Sequence, residues 1–148
     1  MEKLTRIADK LGILLSFLKQ LPAELEMIAD EVDNENLRNA LCAVAIESSQ
    51  YANELNSQLK VLHIDKRTDE SKNYWDEIEL LASPEPIAKG REILSICEKS
   101  EAFFTKLYND ILDEYCPYKS LRDIMTCQLF GIKSAFMKIR LLNSLRFS

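Results

Sequence analysis

Glycine and proline are scarce in this chain, with 3 and 4 among 148 residues. All-β architectures need turn signals at intervals of roughly 8 to 12 residues; few of those breakers are present, and composition favours helices. Histidine occurs once, at His63, which leaves no second imidazole for chemistry that needs two. Paired cysteines are missing too. Cys42, Cys97, Cys116 and Cys127 are scattered without a Cys-x-x-Cys element, as free thiols in a reducing compartment would be. Positive charge is in deficit, with a net charge of -5 and a pI near 5.0, which opposes general attraction to nucleic acid or to anionic membrane. No apolar run approaches the roughly 20 residues of a membrane-spanning helix. Lys3, Arg6 and Lys10 ahead of Leu11 to Leu18 imitate a signal peptide. Glu2 and Asp9 interrupt that basic region, however, and no small-residue cleavage pattern follows. The expectation is one cytoplasmic domain spanning 1–148.

What the chain does contain is helical periodicity. Leu4, Ile7, Leu11, Leu14, Leu18, Leu21, Leu25, Ile28 and Val32 follow one another at alternating steps of three and four, which is a heptad seam. The phase is unchanged across Pro22, which predicts one long helix kinked near Gln20 to Pro22; two collinear pieces with Pro22 opening the second are the alternative. Asp33-Asn34-Glu35-Asn36 suits a turn and a new helix start. A second seam runs Leu37, Leu41, Val44, Ser48, Tyr51, Leu55, Leu59 and Leu62, flanked by the small Ala40, Ala45 and Ala52.

Residues Asp65 to Lys72 are polar and without period. Tyr74, Trp75, Ile78, Leu80 and Leu81 then predict a short helix near 73–82 that Ser83-Pro84-Glu85-Pro86 ends. A third helix carries Ile93, Ile96, Cys97, Phe104, Leu107, Tyr108, Ile111 and Tyr115 inward and breaks at Cys116-Pro117. A fourth carries Leu121, Met125, Gln128, Leu129, Ile132, Ala135, Phe136 and Ile139. The predicted fold is all-α, an up-down four-helix bundle with helices at about 3–32, 35–63, 85–115 and 118–145, the long link joining the second to the third.

Ile93 to Glu101, with the Cys97-Glu98-Lys99-Ser100-Glu101 element and Tyr108 beyond it, resembles the third helix of an uncharacterised bacterial ferritin-like family. Trp75 with Asp76 to Leu81 resembles its linker segment, and Glu47 to Leu55 its second helix; the likeness spans roughly Leu25 to Leu142 at the level of helix pattern. It implies the ferritin-like topology and says little of activity. At the positions where the resemblance places a metal-binding Glu and His of the fourth helix stand Gly131 and Phe136, neither able to coordinate a metal.

A di-metal carboxylate site needs a Glu from each of two helices and a Glu-x-x-His from each of the other two. Residues 119–148 contain no glutamate. Glu47, Glu54, Glu98 and Glu101 remain as weak candidate ligands, with Glu47 and Glu101 at the edges of apolar faces and Glu54 and Glu98 outward. Their alternative role is to solvate the bundle flanks, and no cofactor is expected. His63 invites comparison with phosphotransfer bundles, but it leads out of a helix with Ile64-Asp65-Lys66-Arg67 and reads as a surface histidine. No thiol has a sequence partner for nucleophilic catalysis, so no catalytic residue is assigned; Cys42 and Cys97 read as core fillers. Ser48 and Gln128 fall near the centres of their apolar faces and predict buried polar groups needing partners.

Cys127, Phe130, Met137, Leu141 and Leu145 recur on the side of the fourth helix opposite its inward residues. A helix apolar on two sides is covered on two sides. The outer stripe is expected to meet a second copy of the chain, or else to lie under the Asp65 to Pro86 link. Charge is also uneven. Glu24, Glu26, Asp30, Glu31, Asp33 and Glu35 form an acidic run, whereas Lys119, Arg122, Lys133, Lys138, Arg140 and Arg146 face only Asp123. The two runs could complement each other within the bundle. The reading is a non-enzymatic protein acting through protein contacts as a homodimer. The alternatives are a metal-binding ferritin-like protein with a reduced carboxylate set, and a small acidic inhibitor or immunity-type protein whose acidic run meets a basic partner.

Overall fold

Asn34 makes the first corner. Its Oδ1 accepts the Leu37 N–H at 2.9 Å while its own backbone is extended, satisfying one of the donors that a helix start leaves unbonded. Across the same corner the Arg38 guanidinium donates to the Val32 carbonyl, through Nε at 3.2 Å and Nη2 at 2.7 Å. In the computed structural model, which describes residues 2–64, 89–114 and 117–147, with side-chain surroundings for 6–64, 95–114 and 117–142, this corner separates α1 (Glu2–Asp30) from α2 (Glu35–Val61). α3 (Lys89–Leu112) and α4 (Lys119–Phe147) follow. Among the described residues the secondary structure is helical, with no strand. The short helix expected near 73–82 and the start of the third expected near 85 lie outside the described residues.

α1 runs through Pro22. Proline supplies no N–H to the carbonyl four residues back, that of Leu18. The seam is nevertheless buried on both sides of it, from Ile7 and Leu11 to Leu21 and Leu25, and packing of this kind supplies most of a helix's stability in a protein. α2 ends differently. Leu62 N–H bonds the Gln58 carbonyl, His63 takes a left-handed backbone with φ 55, and the Ile64 N–H returns to the Leu59 carbonyl at 2.9 Å. That is the hydrogen-bond pattern by which a left-handed residue closes a helix. His63 is therefore a helix-ending residue with an exposed side chain.

α1 packs against α2 and α3, and α4 packs against the same two, so that α1 and α4 stand on one diagonal and α2 and α3 on the other. Lys10, early in α1, bonds Glu114 at 2.9 Å and the Asp110 carbonyl at 3.1 Å beyond and near the end of α3, while Phe17 meets Phe103 and Phe104. α1 and α3 are thus antiparallel. Gln128 reaches Glu54 and Ser120 reaches Gln58, so α2 and α4 are antiparallel as well. Tyr108 meets Gln128, Phe104 meets Phe136 and Glu101 meets Arg140, so α3 and α4 are antiparallel too, and α2 and α3 point the same way. The end of one and the start of the other lie at opposite ends of the helix array.

Phe17 centres the core. Its ring stands edge-on to Phe103 at 4.8 Å and to Phe104 at 4.6 Å. Phe104 in turn lies 6.0 Å from Phe136, joining α1, α3 and α4 through aromatic contacts at favourable separations. Phe136, which stands where the family resemblance places a metal-binding histidine, is a fully buried hydrocarbon group of this core.

Candidate functional site

Gln128 is a buried side chain with partners on two other helices. Its position on the α4 seam follows from Leu121, Met125, Ile132, Phe136 and Ile139, which are buried with it on one face. An amide there must find partners. Tyr108 on α3 donates its hydroxyl to Gln128 Oε1 at 2.8 Å. Gln128 Nε2 donates to Glu54 Oε1 at 2.9 Å and to the Tyr51 carbonyl at 3.4 Å. Burial, with smaller contributions from Tyr51 and Glu54, raises the Tyr108 pKa far above the ordinary tyrosine value, so the hydroxyl keeps the proton it donates. Ser48 is buried as well, but it donates to the Val44 carbonyl one turn back at 2.8 Å. Ser48 and Gln128 thus find separate partners.

The Tyr51 side chain from α2 lies over Gly131. A Cβ at that position would overlap the Tyr51 hydroxyl and stand 3.3 Å from its Cζ. Desolvation, then the charges of Glu47 and Glu54 and the nearby Cys127, raise the Tyr51 pKa. Glu47, one turn before Tyr51, is half-buried with Oε2 enclosed and without a hydrogen-bond partner among the described residues. Burial raises its pKa.

The four acidic candidates do not converge. Glu47 and Glu54 lie on α2, Glu98 and Glu101 on α3, and these helices occupy opposite corners of the bundle. Glu98 is exposed. The Glu101 carboxylate is paired with Arg140 of α4. Glu54 is mostly exposed, as its outward position predicts, yet its carboxylate folds back to Gln128. Among the described residues no group of three or more His, Cys, Asp or Glu side chains gathers in a way that could hold a metal ion. Cys97 is buried and its thiol is pushed up to about 12, chiefly by desolvation. Cys42 is half-buried.

The outer side of α4 contrasts with its inner side, where Gln128 has partners on two helices. Phe130, Met137 and Leu141 are 68%, 50% and 60% exposed, and Cys127 is exposed beside them. The side chain of Leu145 lies outside the described residues, as does the 65–86 connection. Lys119, Arg122, Lys133 and Lys138 are exposed around the stripe, with Asp123 as the exposed acid among them. The acidic run belongs to α1, the corner after it and the first residue of α2, and the basic run to α4, with α1 and α4 on opposite corners of the bundle.

Sequence reasoning missed the Tyr108–Gln128 bond and the return of the Glu54 carboxylate. The signal available was that Tyr108 and Gln128 each sit near the middle of an apolar face. Comparison with protein-family models, with curated proteins and with solved structures finds no match. Among the described residues no helix is long and apolar enough to cross a membrane.

Proposed function

We propose that this protein is a non-enzymatic helical scaffold that acts through protein contacts, and that the outer face of α4 joins two copies of the chain. One observation carries the reading: Phe130, Met137 and Leu141 are half to two-thirds exposed at helical spacing, while the opposite side of the same helix is fully buried. Apolar side chains aligned along a helix in this way are covered by partners more often than left in water. The interior supports the same reading, because Gln128, Tyr108 and Glu54 bond one another and Glu101 is held by Arg140, so these polar groups already serve to join helices.

The ferritin-like arrangement belongs to this proposal too. Its support is the parallel course of α2 and α3 on one diagonal, which requires a connection spanning the length of the helices. Sedimentation or light scattering over a concentration series tests the contact. The expected result is a monomer–dimer equilibrium that Leu141→Glu shifts to monomer without loss of helical signal; a wild-type chain that stays monomeric at about 0.5 mM, well above the dissociation constants of weak specific contacts, overturns it.

A further inference from the structure

We draw no further inference here: the strongest candidate, the Glu47 carboxylate with its enclosed oxygen one turn before Tyr51 at the α2–α4 seam, belongs to the site already described, and nothing in the structure shows a ligand or partner that would meet it.

Discussion

α1 and α4 are equally long, at 29 residues each, and they stand on the same diagonal; each is apolar over more of its circumference than a single seam requires. In the first half of α1 the surplus is enclosed, since Leu14, Leu15, Ser16, Phe17 and Leu18 are all buried in succession, while Met27 further along is exposed. In α4 the surplus is left open at Phe130, Met137 and Leu141. Equal patterns therefore have unequal fates. An apolar circumference records that a helix prefers cover, and the fold decides whether the cover is intramolecular.

The sharpest way to break this comparison is one substitution made on both helices. Leu14→Ala removes a fully buried side chain and is expected to lower unfolding free energy by about 3 kcal/mol, the cost of a buried cavity. Leu141→Ala, measured by denaturant melts of the dilute monomer, is expected to change it by less than about 0.5 kcal/mol. Comparable losses at the two sites would mean that α4 is covered within one chain.

A smaller effect probes the inner side of α4. Gln128→Ala strands the Tyr108 hydroxyl and opens a gap, for an expected loss of about 2 kcal/mol. Tyr108→Phe, made in the same background, is then expected to cost much less than it does in the wild type. Strict additivity in that double-mutant cycle would dissolve the network described here.

The smallest effect lies at the α2–α4 seam and depends on pH. Burial raises the Glu47 pKa above its ordinary 4.5, so the folded chain holds this proton more tightly than the unfolded one. Stability from the group is complete below the unfolded value and is lost as pH rises through the folded value. Glu47→Gln is therefore expected to raise the melting temperature at pH 7 and to lose that advantage below about pH 4.5. A gain independent of pH would show that ionisation is not the cause.

Much of this was visible in residue spacing, and the exceptions share a cause. The α1 seam kept its phase across Pro22, and α1 is continuous there. Gln128 and Ser48 stood among apolar neighbours, and both are buried. Periodicity fixes the direction in which a side chain leaves the backbone, but not where a long one ends; Glu54 leaves outward and its carboxylate returns to Gln128. It also gives no order of helices around an axis. The acidic and basic runs therefore looked like neighbours, whereas most of the acidic run sits on α1, across the diagonal from α4. Phe17 fell outside the first seam because that seam describes contact with one neighbour, whereas α1 lies between two.

The Gln128 amide has an angular consequence. Successive residues of a helix are offset by about 100° around its axis, so rolling α4 by a single position would break the bonds to Tyr108, Glu54 and the Tyr51 carbonyl together. Hydrophobic contacts alone tolerate such a roll, because leucine, isoleucine and phenylalanine are interchangeable at modest cost. The buried amide works as a rotational key. By fixing which side of α4 looks inward, it also fixes the direction in which Phe130, Met137 and Leu141 are presented.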